Sequence, residues 1–165
     1  MQDIIQQIRA ANQVGLYYVA LFSALAVPDI CAALESANGQ ASKDKFVAWF
    51  NANVAPSYNG FLDGESCYYF RCSMLHQAST QHPRGRYSRI IFVEPGNSGM
   101  VLHNNILNDA LNIDVRIFCE DICAAMERWW PKASTRPEVQ ANLARFVRRY
   151  PGGLAPYIDG LPVIG

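Results

Sequence analysis

An arginine and a histidine, Arg71 and His76, stand five positions apart in the run Tyr69-Phe70-Arg71-Cys72-Ser73-Met74-Leu75-His76-Gln77. On a helix five steps turn about 140° and rise about 7.5 Å, so the two side chains do not stack on one face. Arginine is long, however, and a ligand laid along the helix surface can still meet both. Such a pair suits phosphodiester chemistry. An imidazole with an unperturbed pKa of about 6.5 can take a proton from one oxygen and return it to another, and a fixed guanidinium stabilises charge on phosphoryl oxygens.

The surroundings of this pair are cationic. Between Glu65 and Glu94 there is no carboxylate, whereas Arg71, Arg84, Arg86 and Arg89 fall there with His76 and His82. Guanidiniums that fork onto phosphate, beside the backbone of Gly85, would make a local anion site. The candidate substrate contacts are therefore Ser73, Gln77, His82, Arg84, Arg86 and Arg89. The competing reading of this stretch is a solvated basic loop. Any polyanion site must be local, because fourteen Lys and Arg balance fourteen Asp and Glu over the chain, which excludes a strong overall field.

The elements that would hold these residues are mostly helical, within a single domain spanning residues 1–165. Ile4, Ile5, Ile8 and Ala11 keep a helical period, and Gly15 marks a break. The apolar run Val14 to Val27 reads as a buried core helix, too short to span a bilayer, with Pro28-Asp29 suited to a helix restart. Ser42 and Asp63 can cap helices carrying Phe46, Trp49 and Phe50, and Cys67, Phe70 and Met74. Ile90 to Val93, a turn at Pro95-Gly96 and a return over Met100 to His103 predict a small hairpin spanning 88–103. A long helix follows Asn112 and stops at Pro131. Thr135 and Glu138 have capping-box spacing before Val139, Leu143, Phe146, Val147 and Tyr150. The tail, 151–165, is expected to pack on the body. The fold class is thus mainly α, a helical bundle with an inserted β-hairpin.

The Arg71 to His76 segment resembles the signature of the HEPN superfamily, helical-bundle domains with an Arg-x4-6-His motif late on a core helix. That resemblance implies a metal-independent ribonuclease, of the kind found in bacterial toxin–antitoxin and anti-phage systems. Its site would be assembled by a homodimer, with Arg71 and His76 as the catalytic pair and no cofactor. Attack of a ribose 2′-hydroxyl on the adjacent phosphate would be the reaction. RNA, a second copy of the chain and an antitoxin or regulatory protein are the implied partners. The chain departs from the pattern at Cys72, where the family often has Asn, Asp or His. The 88–103 hairpin would be an insertion in such a bundle.

Other classes follow from the same residues. A silent binding module of the same fold would use Arg84 to Arg89 to hold RNA or protein. In that case His76 serves as a helix-end residue and Arg71 pairs with a surface acid. The five cysteines, Cys31, Cys67, Cys72, Cys119 and Cys123, are odd in number and lie in apolar or helical stretches. They read as core thiols of a reducing, cytoplasmic compartment, neither a disulfide framework nor a zinc knuckle. No membrane partner is expected. His103-Asn104-Asn105 and Asn108-Asp109 form a polar cluster, either turn chemistry or a pocket wall beside His76.

Overall fold

The computed structural model describes residues 1–96 and 99–165, and about half of the chain is helical. Six α-helices occur among the described residues: α1 (Gln2–Gln13), α2 (Tyr17–Leu34), α3 (Lys43–Asn53), α4 (Gly64–Gln77), α5 (Val115–Ala133) and α6 (Pro137–Leu143). A 3-10 turn, Ala55–Tyr58, joins α3 to the loop before α4. The mainly α fold matches the expectation drawn from periodicity.

At the centre is α2. It packs against α1, α3, α4, α5 and α6, and Ala20, Ala24, Leu25, Val27 and Cys31 are fully enclosed. Small residues at these positions let neighbouring helices approach, while apolar burial supplies the driving force. Pro28 does not restart the helix as the sequence suggested. The helix runs unbroken through it to Leu34, and tertiary packing on several sides outweighs the missing backbone N–H. By length and composition alone α2 could cross a membrane, but half of it is buried inside the protein.

Helix α4 is fixed at both ends. The Asp63 side chain accepts from the Ser66 backbone N–H at 2.8 Å, as its sequence position predicted. Gly64 lies so close to α3 that a Cβ would meet the Val47 carbonyl oxygen at 2.6 Å, and its N–H donates to Asn51 Oδ1 at 2.7 Å. A side chain there would push the two helices apart. At the far end Ala78 takes a left-handed conformation, φ 51°, its N–H donating to the Met74 carbonyl and the following Ser79 N–H to that of Ser73.

The expected hairpin over 88–103 is not formed. Strand β1 (Arg89–Val93) runs parallel to β3 (Ala110–Asp114), and β2 (Asn105–Leu107) pairs antiparallel with β3, giving the order β1-β3-β2. Met100 to His103 is not a strand, and positions 97 and 98 lie outside the described residues. The true hairpin turns at Asn108-Asp109, whose φ values of 49° and 61° suit a two-residue primed turn. The turn reading of those two residues was thus the apt one.

Asp114 caps α5 by accepting from Arg116 and Ile117 N–H groups. Pro131 does not stop α5, which continues to Ala133. The capping box at Thr135 and Glu138 does not form either. Arg136 precedes α6 with Pro137 in its first turn, and Phe146, Val147 and Tyr150 lie beyond the helix. The tail turns back on itself through β4 (Arg149–Tyr150) with β7 (Val163–Ile164) and β5 (Gly153–Leu154) with β6 (Ile158–Asp159).

Candidate functional site

Arg71 leaves the side of α4 that faces α2, and its Nη2 lies 2.5 Å from Asp29 Oδ2. Both side chains are about four-fifths covered, at 20% and 19% exposure. The Arg71 Nε is buried and has no acceptor among the described residues, while Nη1 reaches only the weak Cys72 Sγ at 3.8 Å. Burial pushes the Asp29 carboxyl above its ordinary value, and Arg71, then His76, oppose that push. One carboxylate of α2 thus feels both members of the sequence pair. His76 itself is exposed in the last turn of α4.

Asp29 is the residue that sequence reasoning missed. Its signal was faint, because Pro28-Asp29 has the look of a helix start and a carboxylate there reads as a first-turn acid. Only the unbroken course of α2 brings it beside α4.

The other predicted contacts are dispersed. Ser73, expected to touch substrate, is instead fully buried on the core side of α4, its hydroxyl without a partner among the described residues. Gln77 is exposed beside His76. His82 stacks on the Tyr69 ring at 4.6 Å between centroids, and its Nδ1 accepts from the Arg84 backbone N–H at 3.1 Å. Arg86 donates to the Gly60 carbonyl at 2.7 Å, and the Tyr87 hydroxyl to that of Phe61 at 2.6 Å. The basic segment therefore folds back along α4 towards its beginning. Because α4 has 14 residues, roughly 21 Å in length, Arg86 and His76 stand at opposite ends of it. Arg84 and Arg89 are exposed along the same segment.

The polar cluster after β1 does not sit in a wall with His76. The His103 ring lies 5.5 Å from that of Tyr58, and Asp121 on α5 feels both. Tyr58 is fully buried beside Asp121, yet its hydroxyl and the His103 Nδ1 lack well-formed hydrogen bonds among the described residues. Burial pushes the phenol far up and raises the Asp121 carboxyl.

Comparison with family models, with curated proteins and with solved structures finds no match to this chain. The geometry must carry the functional reading. The cysteines add little to it: Cys31, Cys67, Cys119 and Cys123 are buried, and burial raises the Cys119 and Cys123 thiols to about 12. At neutral pH such thiols are protonated and poor nucleophiles.

Proposed function

We propose that this chain is a metal-independent endoribonuclease of HEPN type, built on a HEPN-like helical bundle and acting as a homodimer. The observation that carries the reading is the Arg71–Asp29 ion pair on the α2–α4 seam, with His76 exposed in the last turn of the same helix as Arg71. An arginine held by one carboxylate is oriented, and the fifth of the Arg71 side chain that stays exposed is the part a phosphoryl oxygen would meet.

In this mechanism His76 takes the proton of a ribose 2′-hydroxyl as that oxygen attacks the adjacent phosphorus. The bond from phosphorus to the 5′-oxygen breaks, and the proton is delivered to the departing oxygen by the same imidazole or its counterpart in the second copy. Arg71 offsets charge on the non-bridging oxygens, and Asp29 positions Arg71. The products are a 2′,3′-cyclic phosphate and a 5′-hydroxyl.

Dimerisation is supported by the face of α2 that leads to Asp29. Tyr18, Phe22 and Ala26 follow at helical spacing, Tyr18 is 71% exposed, and neighbouring Val19 is 54% exposed. Half-buried Tyr68, Cys72 and Leu75 flank the pair on α4. A second copy seated on this surface would cover the apolar residues and set two Arg71–His76 pairs about one two-fold axis. A cytoplasmic setting in toxin–antitoxin or anti-phage defence, with an antitoxin or regulatory partner, belongs to the same proposal.

The alternative is a silent RNA- or protein-binding module, favoured by the engagement of Arg71 with Asp29. The two separate in one assay. Total RNA is incubated in chelator with the parent chain, His76→Ala and Arg71→Ala. Cleavage by the parent, reduced about 100-fold or more in each variant, is the expected result; three equally inert samples leave only the binding module.

A further inference from the structure

On another face of the protein the end of α2, the middle of α3 and the end of α5 enclose a cleft of about 560 Å³. That volume lies in the range occupied by small-molecule sites and exceeds what a bare phosphate ion needs. Neither Arg71 nor His76 lines it.

The lining is rich in donors. Lys45, Arg128, Lys132 and Arg136 contribute four cations, and Glu35 is the one carboxylate among its described lining residues. Glu35 is already committed: its Oε1 accepts from Trp129 Nε1 at 2.9 Å and forms a short ion pair with Arg136 Nη1. Arg136 is thereby held in place and neutralised. The remaining three cations form no ion pair among the described residues, although Arg128 lies near enough to Asp121 to oppose the rise of its carboxyl. Arg128 donates to the Asn53 carbonyl at 3.3 Å, and Lys45 to the Gln40 carbonyl at 3.0 Å and Asn38 Oδ1 at 3.3 Å. The Lys132 ammonium has no hydrogen-bond or ion-pair partner among the described residues, only its carbonyl accepting from the Thr135 hydroxyl at 2.9 Å.

A further donor stands in the wall. Trp49, only 3% exposed, packs edge-on against Trp129 at 6.1 Å, and its indole N–H is buried without an acceptor among the described residues. Buried N–H groups are rarely left so. Four cations against one carboxylate, with Lys45, Arg128 and Lys132 in no ion pair among the described residues, make the cleft complementary to a compact ligand rich in acceptors. Condensed phosphates fit that description best, because they concentrate two or more negative charges on oxygens spaced to meet arginine and lysine together.

We propose that this cleft is a binding site for a small phosphate-bearing ligand with at least two negative charges, independent of the Arg71–His76 pair. Lys132 and Arg128 supply the charge that is free to meet it, Lys45 closes the α3 side, and the Glu35–Arg136 pair fixes the floor.

Titration calorimetry on the full chain at physiological salt tests this, with inorganic pyrophosphate and ADP as probes. Saturable binding of pyrophosphate is expected, weakened about tenfold or more in Lys132→Gln/Arg128→Gln and largely kept in Lys132→Arg. Both substituted positions are exposed, so the fold should survive, and circular dichroism checks it. Tighter binding of ADP would show that the organic part is seated in the cleft, and equal binding that the phosphates suffice; both support the site. Absence of saturable binding by either probe overturns the proposal. So does binding that survives the double substitution but disappears in Arg71→Ala, since that would assign the anion to the other face.

Discussion

Two helix seams of this protein each hold an arginine against carboxylates, and they hold it differently. On the α1–α5 seam Arg9 makes four bonds of 2.6 to 2.9 Å to Glu120 and Glu127, every one from a partly exposed side chain. On the α2–α4 seam Arg71 is more deeply covered and, among the described residues, pairs with a single carboxylate and keeps a buried N–H without an acceptor. The first arginine is saturated and can only clamp. The second is oriented by one carboxylate and keeps a fifth of its side chain exposed, as the proposed contact with a phosphoryl oxygen requires.

The sharpest way to break this contrast is to remove Arg71 itself. Arg71→Ala leaves the largely buried Asp29 carboxylate without its ion-pair partner, and a loss of roughly 3 kcal/mol in unfolding free energy at neutral pH is expected from chemical denaturation. RNA cleavage should fall with it even at temperatures where the variant is fully folded. An unchanged denaturation midpoint would mean that the pair is dispensable to the seam.

Removing the other arginine should matter less. Arg9→Ala is expected to cost about 1 kcal/mol, because exposed ion pairs are screened by water, and to leave cleavage untouched. The two seams also differ in pH response. Bonding to Arg9 lowers the Glu127 carboxyl below its ordinary 4.5, so that contribution is complete above about 4.5 and is lost as pH falls through the lowered folded value. The Asp29 carboxyl is raised by burial, so its ionisation acts in the opposite sense, costing stability as pH rises through its elevated value. Denaturation below pH 4.5 should therefore be steeper for the parent than for Arg9→Ala. Parallel curves would remove the clamp role of Arg9.

Local features of this fold were legible in the sequence, and non-local ones were not. Ser42 and Asp63 cap helices as their spacing suggests, because a cap is settled within a few residues. The Phe118, Ile122, Ala125 and Trp129 stripe of α5 faces the core as its period requires. The hairpin misreading has a different origin. Ile90 to Val93 has the composition of a strand, but its partner is β3, some twenty residues on and parallel, and no local pattern encodes a parallel pairing. Asn108-Asp109 carried the turn signal that Pro95-Gly96 was credited with.

The candidate site divides in the same way. Arg71 and His76 were found from their spacing alone, and Gln77 lies exposed beside them. Asp29 is 42 positions away from Arg71 and joins them only through helix packing. Ser73 was named for its polarity, yet four-residue helical geometry from Tyr69 to Ser73 and Gln77 could not say which flank of α4 the core would take. The basic run Arg84 to Arg89 was legible as charge but not as a segment folded back to the opposite end of the helix.

The central claim, that Arg71 and His76 direct a 2′-oxygen onto its neighbouring phosphate, is tested most directly by the ends of the products. The parent chain is given an RNA oligonucleotide it cuts, and the same oligonucleotide with a single 2′-deoxy sugar at the cut position, both in chelator. A 2′,3′-cyclic phosphate from the first and an intact second substrate are predicted. Equal cleavage of both, or the same products from His76→Ala at the parent's rate, would contradict it.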